Sequence, residues 1–356
     1  MEKKMSSEQR YPLLDIGQFA ASLLVILVHC GRLAENDGLH FILKSLLGRL
    51  AVPLFLVSTG YFYRRKLLSS AAYFKIYFKK QIKVYLFWSL FYVPYGLWFL
   101  HTQGLPPAVY PAALAVGLLY TGLCYQLWYF PALFSALYLV KKSLLKLGYL
   151  KTFFLSFVLF ALGAVETYSG YLSGTFIEKP FRLYQSVFAT TRNGLFYAFI
   201  FVLLGFFLAD YQQSPLLQKR VGAKLGFSGI LLLVEGWLIF NNQGADKNFL
   251  FSLIPAAFFL VAVLIQSDRW QTRDFSNLRI LGQYLFFLHP LFLEVIKELF
   301  SLTGIREFQG IPLFILTLFL SLAVSQVIVK LKNNNQGSKV QMQKKQLTAI
   351  REDNHG

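Results

Sequence analysis

Charge is the first thing this chain has little of. Asp, Glu, Lys and Arg together make up 15% of its 356 residues, while 56% are hydrophobic and 17% aromatic. Ordinary soluble proteins devote about a quarter of their residues to charge. The few charges fall in clusters, and the apolar runs between them reach the roughly 17–25 residues that cross a bilayer. A soluble globular protein is thereby excluded, and an all-α polytopic membrane protein is expected. Cysteine is nearly absent: Cys30 and Cys124 have neither metal-ligand spacing nor a disulfide framework. No Gly-rich nucleotide loop, HExxH zinc helix or GxSxG nucleophile turn occurs, so no metal and no permanently bound cofactor is expected.

Hydropathy places about ten transmembrane helices, at 12–32, 46–63, 83–101, 127–140, 152–168, 194–211, 225–240, 248–266, 280–300 and 311–330. The basic opening "MEKK" is followed by no small-residue cleavage site, so the first apolar segment reads as a retained span. With both termini cytoplasmic, 26 of the 35 Lys and Arg face the cytoplasm and 8 face outward, Lys297 alone lying within a span. That bias is the signature of cytoplasmic loops. It accounts for the net charge of +18 without nucleic acid. The apolar stretch 105–125 would invert every later loop if it crossed. Pro106, Pro107 and Pro111 fit a re-entrant or surface-lying segment instead. The organisation expected is a cytoplasmic N-terminus (1–11), a membrane domain (12–330) and a disordered basic cytoplasmic tail (331–356).

Polar groups inside spans are costly and are functional candidates by default. In the first span Asp15, Gln18, Ser22 and His29 fall in one narrow stripe at 100° per residue, over ~21 Å of helix. They form either a packing stripe ending in a helix-end histidine or the wall of a polar pathway. In the second span Pro53 should kink the helix, while Ser58, Thr59 and Gly60 allow close helix approach. Arg64, Arg65 and Lys66 are a topology anchor or, since guanidinium groups bind phosphate bidentately, a cradle for a phosphorylated donor. Later come Arg192, Glu235 and His289. Glu235 has no charged partner in its own span and either stays protonated or meets a cation from another helix. His289 either bonds across the bundle or joins a site.

Five stretches occur in order: "YPLLDIGQFAASLLVILVHCGRL", "AVPLFLVSTGYFYRRK", "LWYFPALFSALYLVKK", "TTRNGLFYAFIFVLLGFFLAD" and "LRILGQYLFFLHPLFL". Together they resemble the membrane-bound acyltransferase 3 family, whose members O-acylate surface polysaccharides and other acceptors. The set is especially similar to the membrane half of vancomycin-resistance serine racemases. The resemblance implies an enzyme of the plasma membrane, an acyltransferase for groups other than amino-acyl groups. Acetyl by default would pass from acyl-CoA, a cytosolic co-substrate, to a hydroxyl of an envelope glycan. His29 matches the family's first-span histidine, the expected centre of transfer, and Asp15 its acidic companion. Arg10 matches the preceding basic residue, and Thr59-Gly60-Tyr61 a motif usually read Ser-Gly-Tyr. Arg192 and His289 also have counterparts. Gln18 departs, standing where the family usually carries Arg or Lys. Transport of an amino acid or a lipid-linked sugar without acyl chemistry is the alternative, and a partner-dependent subunit a third. Neither the racemase domain nor the extracellular esterase-like domain of some relatives is expected in these residues.

Overall fold

The computed structural model describes residues 10–305 and 307–353, with side chains after Lys332 described only at Asn334. The regular structure of the described residues is all helical: α1 (Pro12–His29), α2 (Asp37–Ser69), α3 (Tyr73–Phe91), α4 (Val93–Thr102), α5 (Pro107–Thr121), α6 (Tyr129–Ala164), α7 (Glu178–Phe188), α8 (Gly194–Asp210), α9 (Val221–Asn241), α10 (Leu253–Gln266), α11 (Ser276–Leu302) and α12 (Ile311–Asp353). Residues 1–9 of the expected N-terminal segment, and nearly all side chains of the expected tail, lie outside the description.

Among the described residues, five helices are long and apolar enough to cross a bilayer: α1, α2, α6, α9 and the Ile311–Lys332 part of α12. Helices α5, α8 and α10 are apolar but shorter, at 10–17 residues, and α3 carries Lys75, Lys79, Lys80 and Lys83. The 36 residues of α6 hide a break, because Gly148 has φ 69° and ψ 179°, far outside helical geometry. Two expected spans, 127–140 and 152–168, meet at that glycine, and Lys141, Lys142, Lys146 and Lys151 flank it. Helix α5 falls in the same length class as α8 and α10. It ends in a π-turn at Gly117–Thr121 and then Gly122, with φ 80°, which turns the chain back into the bundle.

Around α1 pack α2, α10, α11 and α12. Helices α2 and α8 meet backbone to backbone: a Cβ built on Gly60 would fall 2.6 Å from the Val202 carbonyl oxygen, and one on Gly205 would fall 2.7 Å from the Tyr61 amide. Small residues serve this purpose where lipid offers no hydrophobic drive between helices. The outward face of α6 remains apolar, with Leu145, Leu150 and Phe154 each more than 70% exposed. Helix α2 is irregular before Ala51. A π-turn at Ile42–Leu47 runs into a 3-10 turn at Gly48–Leu50. Pro53 has no N–H for the carbonyl of Arg49, so the expected kink takes the form of this tightened turn. A third π-turn, Gly194–Ala198, opens α8 beneath the side-chain cap of Asn193. Such insertions concentrate at functional sites because they re-aim side chains.

Candidate active site

Helix α1 ends at His29, and Gly31, with φ 78°, turns the chain away. The His29 ring lies 4.3 Å from the ring of Tyr125 and 5.7 Å from that of His289, centroid to centroid, the two imidazoles stacked at 24°. A chamber of about 40 Å³ adjoins it, lined by Arg49, Gln126, Trp128, Tyr129, Arg192, Asn248 and Phe286 among others. His289 is fully buried, and its Nδ1 lies 3.0 Å from the Leu285 carbonyl oxygen. A carbonyl can only accept, so Nδ1 carries the proton and Nε2 keeps its lone pair.

That Nε2 has no partner. The same is true of Tyr125 Oη, both amide atoms of Gln126, and Nε of Arg49 and of Arg192, so six buried polar atoms are orphaned around one imidazole. Buried polar atoms are nearly always bonded, and such a concentration marks a place that takes water or a polar ligand. The Arg192 guanidinium also lies over the Trp128 ring, 4.7 Å from its centroid, a cation–π contact that fixes its plane.

Two larger cavities flank the chamber. One, of about 710 Å³, lies beyond the C-terminal end of α1 and shares Arg49, Arg192 and Asn248 with it. The other, of about 290 Å³, runs along the body of α1 and shares Tyr129 and Phe286. Three spaces therefore stand in series, with His29 at the narrow middle. The smaller flanking cavity is walled by Gln18, Ser22, Thr59, Lys80 and Arg279, and Thr59 Oγ1 lies 3.3 Å from Tyr129 Oη. In the larger one Glu166 accepts from the Thr191 amide at 2.7 Å and from the Thr190 and Thr191 hydroxyls. Burial pushes the Lys247 ammonium there below its ordinary value, against the pull of Asp246.

Of the stripe on α1, Gln18 and Ser22 line the 290 Å³ cavity and His29 the chamber, while Asp15 lines none of the three spaces. Asp15 forms an ion pair with Arg279 of α11 at 3.2 Å, and no carboxylate lines the His29 chamber among the described residues. Gln18 donates to Ser58 Oγ at 3.1 Å, and Ser22 Oγ donates to the Gln18 carbonyl. Arg279, from another helix, places a cation beside Asp15. Arg10 is exposed near Asp274, whose carboxyl is held below its ordinary range by hydrogen bonds from Ser276 and, further off, by Arg10 and Arg279.

Arg64, Arg65 and Lys66 line none of these spaces. Arg64 holds Asp210 bidentately, at 2.8 Å and 2.8 Å, with Tyr149 donating to the same carboxylate at 2.6 Å. Arg65 donates to the hydroxyls of Tyr11 and Tyr61, and Tyr61 donates to Gln212, so Tyr61 belongs to that lattice. Among the described residues Glu235 meets amides and hydroxyls rather than a cation. Its carboxylate accepts from the amides of Phe251 and Ser252 at 2.6 and 2.7 Å and from the hydroxyls of Ser252 and Tyr168. It anchors the N-terminus of α10, where the helix dipole favours negative charge. Arg49, Tyr125, Gln126 and Arg279 join the candidates only in three dimensions. Arg49 had a visible signal, an ionisable group inside the expected 46–63 span.

Residues 11–330 match the acyltransferase 3 family, described as an acyltransferase domain. The chain belongs to this acyltransferase family. It is similar to a serine/alanine racemase of Enterococcus gallinarum, 30% identical over 289 residues that cover 78% of this chain and 40% of that protein. Two amino-acid racemases of Enterococcus faecalis are 28% and 24% identical, over 58% and 92% of this chain and 29% and 47% of their own lengths. The chain thus spans less than half the length of each of these relatives. No solved structure matches it.

Proposed function

We propose that this protein is a multi-pass plasma-membrane acyltransferase. It moves an acyl group, acetyl by default, from cytosolic acyl-CoA to a hydroxyl of an envelope glycan, with His29 at the centre of transfer. The observation that carries this reading is the series of three spaces meeting at His29 inside the family-matched region. Ten spans, with both termini cytoplasmic, give each flanking cavity its side: the 290 Å³ cavity faces the cytoplasm and the 710 Å³ cavity faces outward. The charge bias of the loops supports that orientation.

The donor enters from the inner side. Lys80 and Arg279 stand on that wall and meet its phosphates. They take the role that Arg64 cannot fill while it holds Asp210, and the acyl chain points toward Tyr129 and His29. The acceptor arrives from the outer cavity. Neutral His29 takes the proton of the acceptor hydroxyl as its oxygen bonds to the thioester carbonyl carbon. The carbon–sulfur bond then breaks, and the thiolate recovers the proton from the imidazolium. The ring contacts of Tyr125 and His289 hold the His29 imidazole in place, and the lone pair of His289 Nε2 accepts a hydrogen bond from bound substrate or water.

The test is mass spectrometry of envelope glycans from a strain lacking the protein, complemented with wild type or His29→Ala. Acyl groups should vanish, return with wild type, and stay absent with His29→Ala at normal membrane levels. Through-going cavities also suit transport of an amino acid or lipid-linked sugar. Unchanged glycans together with altered uptake would establish that reading instead.

A further inference from the structure

Resting on the acyltransfer reading, we propose that the acceptor is anionic: a sugar whose carboxylate or phosphate is held by Arg49 and Arg192 beside His29. The outer cavity is lined by five cations, Arg32, Lys44, Arg49, Arg192 and Lys247, against three carboxylates, Asp37, Glu166 and Asp246. Each carboxylate already accepts hydrogen bonds, though only Asp37 meets a cation, so the lining keeps an excess of two positive charges. Asp37 pairs with Arg32 at 2.5 Å, Glu166 is occupied by the threonine donors, and Asp246 accepts from Thr167 Oγ1 at 2.5 Å and Asn248 Nδ2 at 2.6 Å. Lys44 and Lys247 donate to the neutral carbonyls of Gly31 and Gly244, which satisfies a donor without cancelling a charge.

Arg49 and Arg192 remain. Among the described residues neither has a carboxylate within ion-pairing distance, and the Nε of each is buried without a partner. Both are half-buried at the border of one small chamber, and two like charges placed there repel unless an anion joins them. A neutral acceptor would leave that repulsion in place, whereas a carboxylate or phosphate matches the planar donor fork. Both arginines border the His29 chamber as well as the outer cavity. An anion seated there presents the neighbouring hydroxyl of the same sugar to the imidazole, so the charge sets which hydroxyl reacts.

Trp128, stacked under Arg192, reports on the site. Full-length protein in lipid nanodiscs is titrated with glucuronate, glucose 6-phosphate and glucose, following tryptophan emission and subtracting a Trp128→Phe protein. Saturable binding of at least one anion is expected, about tenfold or more tighter than glucose, and the tighter anion assigns carboxylate or phosphate. Arg49→Gln with Arg192→Gln should abolish it, Arg192→Lys should retain part of it, and Lys247→Gln, on a loop, should weaken it severalfold. If the double variant does not fold, the last two decide. Glucose binding as tightly as the anions, or anion binding indifferent to these substitutions, overturns the proposal. His29→Ala separates the two readings, since it should bind the anion normally and transfer nothing. Anion binding without transfer of acetyl from acetyl-CoA by wild type would sink the acyltransfer reading and leave the anion site. Equal transfer to charged and neutral sugars would do the reverse.

Discussion

At the scale of single residues, the chamber sorts its polar groups by what already satisfies them. His29 meets two rings with orphaned hydrogen-bonding atoms, stacked on His289 and tilted against Tyr125, whereas Glu235 is saturated by the amides and hydroxyls around the start of α10. The two therefore respond differently to neutralisation. Replacing His29 by Ala should lower transfer by about 10²–10⁴-fold, the usual worth of a general base, with the melting temperature nearly unchanged. Replacing Glu235 by Gln removes the charge facing the amides of α10 and should cost about 1.5–3 kcal/mol of stability, the range for hydrogen bonds to a charged group. Melting curves in detergent read that loss, and transfer per folded molecule should stay at the wild-type level. A Glu235→Gln protein that melts normally but transfers nothing would contradict the anchoring role. Asp15 belongs between these cases. Its ion pair is with a partly exposed Arg279, which contributes little to stability. Asp15→Asn should therefore fold normally and show its defect in the apparent KM for the acyl donor, because the freed Arg279 lines the inner cavity.

At the scale of elements, the positions of the helices follow from hydropathy alone, and their irregularities do not. The expected segments overlap helices, but 83–101 is divided at Tyr92 between α3 and α4, 248–266 becomes helical only at Leu253, and five helices among the described residues are long and apolar enough to cross. The division of α6 at Gly148 was visible as a lysine cluster between two apolar runs. The π-turns at Ile42–Leu47, Gly117–Thr121 and Gly194–Ala198 left no composition signal, because their residues are ordinary helix formers held in that geometry by tertiary packing. They are what bring Arg49, Tyr125 and Arg192 to one place. Arg49 is legible in the sequence as an ionisable group inside the 46–63 segment. Gly60 was legible as a close-approach residue, but its partner, Gly205, lies 145 positions away along the chain and only packing reveals it. Adding a methyl at Gly60 drives it against the Val202 carbonyl, a backbone atom that cannot step aside. Gly60→Ala should then cost about 1–3 kcal/mol, the range for overpacking, measured as a lowered melting temperature. A wild-type melt would mean that α2 and α8 do not touch there.

At the scale of the whole molecule, the argument rests on sidedness. One cavity is walled by Lys80 and Arg279, the other by Lys44, Lys247 and Arg192, and His29 separates them. An acyl donor made in the cytosol and an acceptor outside can meet at one imidazole only if these mouths open on opposite faces of the bilayer. The charge bias of the loops points to that arrangement but reads each loop separately, so an error in the 105–125 segment would invert everything after it. Lys80 precedes that segment and Lys247 follows it, which makes the pair diagnostic. The native cysteines are both buried, leaving little background for thiol labelling. Lys80→Cys and Lys247→Cys, each in intact cells, should then react differently with a membrane-impermeant maleimide. The cysteine at 247 should label from outside, and the one at 80 only after the cells are opened. Labelling of both from the same side would mean that 105–125 crosses fully, and the two cavities could no longer serve a donor and an acceptor on opposite faces.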